Sequence, residues 1–275
     1  AISHRVGRLL RVEDAPRLML ITGISAGFAG LFRTPFAATA FAMEVLTVGR
    51  LEHRALLPAA VAALCASATS GALGLEKFEF AVAAPAEWDA LLLVKLAALG
   101  VIFGLAGAAF AFCLRNAKKM AQNRLKNPVL RAFCMGLALS VVLYALYRGR
   151  YCGLGTNLIN ASLSGETVYA WDWALKLALT VLTLAAGFQG GEVTPLFSIG
   201  ASLGAVLAGV LDLPVPLCAA LGYAAVFGSA SNTLLAPALI GAEVFGWAGA
   251  PAFLAACAAA YVVNGNRSIY SGQRA

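Results

Sequence analysis

The feature that most constrains this chain is a series of long apolar segments that carry very few charges. In the longest of them, residues 90–114, Lys95 is the one charged side chain. A helix of about 20 apolar residues crosses the ~30 Å hydrocarbon core of a bilayer. The whole chain is 61% hydrophobic and 12% charged, which is far from the composition of soluble domains. Because a membrane-spanning backbone must satisfy its hydrogen bonds internally, we predict an all-α, multi-pass integral membrane protein.

The other apolar segments are separated by glycine, proline or charged residues. Residues 56–74 and 129–147 have the length of a membrane span. Residues 17–49 hold two shorter segments, split at Phe32 to Pro35, and we expect each to be too short to span the bilayer alone. The remaining segments also appear short, at residues 173–187, 201–211, 217–228, 233–246 and 251–264.

The charges between these segments alternate in sign along the chain. Residues 50–54 and 115–131 are basic, whereas the linker at residues 76–89 carries Glu76, Glu79, Glu87 and Asp89. The positive-inside rule predicts that the basic segments lie in the cytoplasm and the acidic linker outside. The net charge of +7 therefore indicates membrane topology, and we expect no nucleic-acid partner.

Cysteine and histidine are too sparse and scattered to suggest redox, metal or cofactor chemistry. The six cysteines form no C-x-x-C pair, and we expect them to be small buried residues. The histidines are His4 and His53, and neither an H-E-x-x-H nor a G-x-S-x-G sequence is present. These observations speak against an intramembrane enzyme.

One apolar segment, residues 186–204, is interrupted in its middle. Gly187, Gly190 and Gly191 precede a single carboxylate, Glu192, and Pro195 follows. Glycine frees the backbone and proline fits the first turn of a helix, so a helix should begin near residues 192–194 with unpaired amides. At membrane depth such a helix start is typical of transporters that hold anions.

An internal repeat is visible in the sequence. Aligning Phe28 with Phe227 also aligns Thr34 with Thr233, Ala37 with Ala236, Glu44 with Glu243 and Val45 with Val244. Duplicated halves with interrupted helices are common in transporters. We expect one transmembrane anion-transport domain over residues 1–275, with the end of a first repeat at 1–49, a second repeat at about 55–264, and a tail at 265–275.

Three motifs in order resemble the CLC family of chloride channels and proton-coupled anion exchangers. The sequence from Gly190 to Pro195 resembles the family's anion-binding helix start, with Glu192 and Thr194 most similar to the fluoride/proton antiporter branch. Residues 32–44 resemble its paired dimer-interface helices. Residues 264–270 resemble the segment that presents its inner-gate tyrosine, here Tyr270.

This resemblance implies a fold, a function and a set of site residues. The fold would be a CLC-type bundle of short, tilted and broken helices with inverted repeats, in a homodimer of the bacterial inner membrane. The function would be transport of fluoride in exchange for protons, with Glu192 coupling the proton. The implied anion-binding residues are Gly191, Glu192, Val193, Thr194 and Tyr270, and the implied dimer-interface residues are Phe28, Ala38, Glu44, Ala242 and Glu243.

Two departures from the family pattern bear on the mechanism. Val45 stands where the family's chloride/proton exchangers carry a second glutamate that accepts internal protons, and the fluoride branch shares this departure. Segments similar to the family's G-S-G-x-P and G-R-E-G-P motifs, the second of which carries the gating glutamate, are not found in these residues. On this resemblance we expect Ala1 to fall just downstream of them.

Simpler interpretations stay open for each candidate. Glu192 could be a plain helix-start carboxylate, Thr194 could cap its own turn, and Tyr270 could be an interfacial aromatic. Glu44 and Glu243 could be structural acids that pair with Arg33 or Arg50. Phe188 and Phe197 are better explained by packing than by anion contact. The rival functions are a chloride channel or transporter of the same family and a membrane protein that has lost transport.

Overall fold

The computed structural model describes residues 14–85 and 88–273, which form eleven α-helices. The basic segment at residues 1–11 and Glu87 lie outside the described residues. In chain order the helices are α1 (Ala15–Phe32), α2 (Pro35–Glu44), α3 (Leu56–Ala72), α4 (Ala90–Arg124), α5 (Pro128–Ala145), α6 (Thr156–Ser164), α7 (Asp172–Ala186), α8 (Val193–Leu211), α9 (Val215–Ser231), α10 (Leu235–Phe245) and α11 (Ala250–Val263).

Five helical segments are long and apolar enough to cross a membrane. They are α1, α4, α5, α8 and the segment His53–Ala72 that contains α3. Large apolar side chains remain exposed on them, and α5 alone exposes Val129, Phe133, Leu137 and Val141. Apolar patches of this extent are expected against lipid and not against water. The predicted all-α membrane protein is confirmed.

The helices cluster into two compact units. The described part of the first unit comprises residues 14–83, 233–254 and 272–273, and so contains α1, α2, α3 and α10. The hydroxyl of Ser25 on α1 donates to the carbonyl of Ala59 on α3 at 2.9 Å, which ties these two helices together.

Within the first unit, α2 and α10 each end in a glutamate that caps the start of the other helix. The Glu44 carboxylate accepts hydrogen bonds from the amides of Leu234, Leu235 and Ala236 at the start of α10. In return, the Glu243 carboxylate accepts from the amides of Phe36 and Ala37 at the start of α2, at 3.3 and 2.7 Å. A carboxylate at a helix N-terminus satisfies free amides and complements the helix dipole.

These contacts correct the expectation that the two glutamates pair with arginine. Both carboxylates are occupied by backbone amides, and the Arg33 guanidinium instead donates to the carbonyl of Leu75 at 2.9 Å. The two acids are thus engaged in capping helix starts, and whether they also have a functional role stays a prediction.

The described part of the second unit comprises residues 84–85, 88–232 and 255–271. Its core is the close pair formed by α8 and α9. A Cβ atom added to Gly200 of α8 would lie 2.0 Å from the carbonyl oxygen of Gly222 on α9, and one added to Gly204 would lie 2.0 Å from that of Cys218. Side chains larger than hydrogen would force these backbones apart. The glycines therefore fix α8, and with it the interrupted segment, against α9.

Several predicted boundaries were wrong. α1 is 18 residues long and so has the length of a span, and α8 continues without a break from Val193 to Leu211. The first part of the basic segment, up to Arg124, is the end of α4 and not a loop. Residues 148–172 contain the unpredicted α6. Four of the cysteines are exposed, namely Cys65, Cys113, Cys134 and Cys152, which contradicts their predicted burial.

Candidate anion site

The predicted helix start is found at the beginning of α8. α7 ends at Ala186, Gly187 adopts a positive φ of 105°, and residues 187–191 are exposed before α8 begins at Val193. The side chain of its N-cap residue, Glu192, makes no capping hydrogen bond. The first amides of a helix have no intrahelical partner, and Pro195 contributes none. The amides of Val193 and Thr194 are thus left available at this point.

Glu192 precedes these amides but does not cap them. Its Oε1 atom accepts a hydrogen bond from the Nζ atom of Lys118, near the end of α4, at 3.1 Å. The Glu192 side chain is 20% exposed and that of Lys118 is 40% exposed. The carboxylate is therefore held to one side of the helix start by a cation from another helix.

A cavity of about 510 Å³ lies next to this ion pair. Arg115, Lys118 and Lys119 line it from α4, and Ser268 and Ser271 line it from the tail after α11. Three cations around one cavity make it favourable for small anions.

Tyr270 is positioned by a tail that is fastened to the end of α9. The Ile269 amide donates to the carbonyl of Ala230 at 2.9 Å, and the Ser268 hydroxyl donates to the carbonyl of Ser231 at 3.3 Å. The Asn264 amide group donates to Asn232 Oδ1 at 2.8 Å. Burial, together with the nearby Glu192 charge, raises the pKa of Tyr270 above its ordinary value. The structure thus brings Tyr270 into the electrostatic range of Glu192.

Two of the simpler interpretations can be compared with these positions. The N-cap residue of α8 is Glu192, and the capping interpretation of Thr194 stays a prediction. Phe197 is buried and stacks on Tyr223 of α9 with ring centroids 3.9 Å apart, as the packing interpretation predicts. Phe188 is exposed, and its ring lies against Gly136 of α5.

The proposed dimer-interface residues lie inside the first unit. Phe28, Ala38 and Ala242 are buried within a single chain, and Glu44 and Glu243 are engaged in the caps described above. The same segments expose two aromatic residues, Phe36 and Trp247, whose rings meet edge to face at 6.0 Å. The two-fold interface stays a prediction, and these exposed aromatics are the better positions at which to test it.

Sequence reasoning missed two sets of charged residues. One is Lys118, which was assigned to a loop although it lies on α4 and reaches Glu192. The other is the fully buried Asp172, which accepts from Tyr151 Oη at 2.6 Å and from Arg150 Nη2 at 2.8 Å. Asp172 is the first residue of α7 and lies just before the apolar segment at residues 173–187, so the sequence gives no signal that it is buried.

Comparisons with known proteins agree with this arrangement. The family model described as voltage gated chloride channel matches residues 1–265. A "Chloride/fluoride channel protein" of Pseudomonas syringae pv. tomato is 39% identical over 271 residues, which are 96% of this chain and 60% of the relative. The chain thus spans about three fifths of that relative's length.

Solved structures give the same result. The crystal structure of a CLC-type fluoride/proton antiporter is 50% identical, with a TM-score of 0.96, and the match covers 99% of this chain and 69% of that one. A slow cyanobacterial Cl⁻/H⁺ antiporter is 19% identical with a TM-score of 0.74, covering 96% and 65%, and shows the shared fold alone. With a family model matching nearly its whole length, the chain belongs to the voltage-gated chloride channel family, the CLC family.

Proposed function

We propose that this chain is the anion-binding part of a transporter that exchanges fluoride for protons across the bacterial inner membrane. The observation that carries the proposal is a carboxyl group, Glu192, that immediately precedes the start of α8 and whose charge acts on Tyr270. The 50% identity to a fluoride/proton antiporter supports fluoride and proton as the two cargoes. On this proposal the protein forms a homodimer, and its basic segments face the cytoplasm.

The chemistry of fluoride fits these donors. Fluoride is small, costly to dehydrate and a strong hydrogen-bond acceptor, so it needs several short donors in place of its water shell. The amides of Val193 and Thr194 lie beside the flexible Gly191, and the Thr194 and Tyr270 hydroxyls are added donors. A protonated Glu192 would supply a carboxylic O–H as well. Proton and anion occupancy of the site would then be coupled.

Substitutions of Glu192 and Tyr270 test this proposal in the protein expressed from its complete gene. Glu192→Gln keeps a hydrogen-bond donor but cannot titrate, so fluoride binding should survive in part while proton-coupled transport is lost. Tyr270→Phe should weaken fluoride binding by about 1.5–3 kcal/mol, the cost of one hydrogen bond to a charged group. Fluoride efflux from liposomes, with proton flux recorded alongside, measures both effects.

The matched control is Glu166→Gln, because Glu166 is an exposed acid outside this site. It should leave both fluxes unchanged. Proton coupling that survives in Glu192→Gln would remove Glu192 from the mechanism and leave it as a helix-start residue.

Chloride is the second candidate ion. The Pseudomonas relative is described as a chloride/fluoride channel protein, so the same binding site has to be tested with both halides. Competition of chloride against fluoride efflux separates the two. If chloride at a concentration comparable to that of fluoride blocks fluoride movement, a chloride-selective protein is favoured. A protein that moves neither ion would favour loss of transport.

A further inference from the structure

The ion pair between Lys118 and Glu192 holds the carboxylate in one orientation. Glu192 immediately precedes a helix whose first amides would attract its carboxylate, yet its side chain makes no capping hydrogen bond. The carboxylate instead accepts from Lys118 Nζ at 3.1 Å. Lys118 lies on α4, far from Glu192 in sequence, so the contact depends on the packed fold and not on local chain geometry.

The pair lies where the basic cavity meets the anion site. Lys118 lines the cavity together with Arg115 and Lys119, while the side chain of Glu192 is 20% exposed. Tyr270 in the tail feels the Glu192 charge, and Arg267 of the same tail lies over the Phe112 ring of α4, 5.7 Å from its centroid. Arg131 of α5 donates to the carbonyl of Ala186 at the end of α7. Lys118 is the cation whose contact with the carboxylate is direct.

We propose that Lys118 is a positioning residue that holds the Glu192 carboxylate on the cavity side, where the carboxylate couples proton movement to anion movement. This inference rests on the proposed function of Glu192 in proton-coupled transport. When hydronium from the cavity protonates the carboxylate, one O–H bond forms and a water molecule is released. Lys118 stays an ammonium ion and loses its charged partner.

Two consequences follow from that change of charge. The neutral carboxyl is free to turn towards the amides of Val193 and Thr194, where its O–H can meet an anion. The unpaired Lys118 ammonium remains at the cavity, where it attracts the next anion. The same protonation thus releases the proton carrier and increases the positive charge at the cavity, so the proton occupancy of Glu192 changes how strongly the cavity attracts an anion.

The test compares Lys118→Met with Lys119→Met in the protein expressed from its complete gene. Lys119 is the neighbouring lysine and lines the same cavity, so it controls for general electrostatics. Replacing Lys118 by methionine removes the contact that orients the carboxylate. The number of protons moved per fluoride should therefore stay at the wild-type value in Lys119→Met, whereas most of the proton coupling should be lost in Lys118→Met.

Lys118→Arg should restore most of the proton coupling, because it keeps a cation that can contact the carboxylate. Should Lys118→Met be recovered in too low a yield, Lys118→Gln serves as the second neutral variant. An unchanged number of protons per fluoride in the neutral variants would overturn the proposal, as would equal losses in the Lys118 and Lys119 variants, which would indicate a general effect of the cavity charge. A wild-type protein that moves fluoride without protons would refute the proposed function itself, which keeps the two failures distinct.

Discussion

Removing the Glu44 carboxylate should destabilise the first unit strongly. Glu44 is 7% exposed and accepts hydrogen bonds from three consecutive amides, those of Leu234, Leu235 and Ala236. Loss of a helix N-cap costs about 0.5–2 kcal/mol, and each buried donor left without a partner costs about 1–3 kcal/mol. Because relaxation and water recover part of this, we expect Glu44→Ala to lower the free energy of unfolding by about 2–4 kcal/mol.

The companion residue should have a smaller effect, since Glu243 caps two amides and not three. For a chain of this size about 1 kcal/mol corresponds to roughly 2–4 °C in melting temperature. Thermal unfolding of the purified protein in detergent, followed by tryptophan fluorescence, should thus show a decrease of about 4–16 °C for Glu44→Ala. Glu44→Gln should fall between the wild type and Glu44→Ala because it keeps one acceptor oxygen.

The control is Glu79→Ala, because Glu79 is an exposed acid whose partner is Lys77. Its melting temperature should stay within about 2 °C of the wild type. If Glu44→Ala melts within the same range as Glu79→Ala, the reciprocal caps contribute little and the stability argument is refuted.

Three further predictions concern packing, pH and topology. Gly200→Ala should lower the melting temperature because its Cβ would meet the Gly222 carbonyl, whereas Gly209→Ala on the same helix meets nothing within 4 Å and should be neutral or slightly stabilising. Burial and the hydrogen bond to Asp172 raise the pKa of Tyr151, so the folded state should lose stability as the pH rises above about 10. In Tyr151→Phe the melting temperature should fall less steeply with pH. Melting curves recorded between pH 8 and 11 measure both. In a cysteine-free background, a membrane-impermeant thiol reagent should label a cysteine at Gln122 from the cytoplasm and one at Glu79 from outside; the opposite pattern would reverse the topology.

Membrane spans and the start of α8 were predictable because their causes are local. An apolar run of sufficient length crosses a bilayer whatever its neighbours are, and glycines before a proline free the backbone and then start a helix. Pro195 and the glycines from Gly187 to Gly191 therefore located the interrupted segment from sequence alone. The proposed anion-binding amides followed from the same local rule.

The length of α8 was not predictable in this way. Along the sequence, Gly200 and Gly204 resemble helix breakers. In the fold they lie where α8 and α9 pack so closely that an added Cβ atom would clash with the backbone of α9. Glycine costs about 1 kcal/mol in an isolated helix, and the close packing that it permits between helices offsets that cost. Whether a glycine ends a helix or joins two of them depends on a partner that the sequence does not identify.

The repeat predicted that Glu44 and Glu243 occupy equivalent places, but not what they contact. The amides that each of them caps lie about 190–207 residues away in sequence. Arg33 and Arg50 are close to Glu44 along the chain and are therefore the partners that the sequence alone predicts. Only the pairing of α2 with α10 makes each glutamate the cap of the other helix.

Carboxylates cap the starts of α2 and α10, whereas Glu192 does not cap the start of α8, and this difference bears on how amides remain available to an anion. Free amides at a helix start attract any nearby carboxylate, and at α2 and α10 the chain supplies that carboxylate itself. At α8 a carboxylate is present in the N-cap position, but the ammonium of Lys118 holds it away from the amides. Because the Glu192 carboxylate does not bond the amides at the start of α8, those amides remain available to an external anion. The acid remains close enough to compete for those amides, and on the function proposed above, protonation of Glu192 would end the competition and turn it into an additional donor.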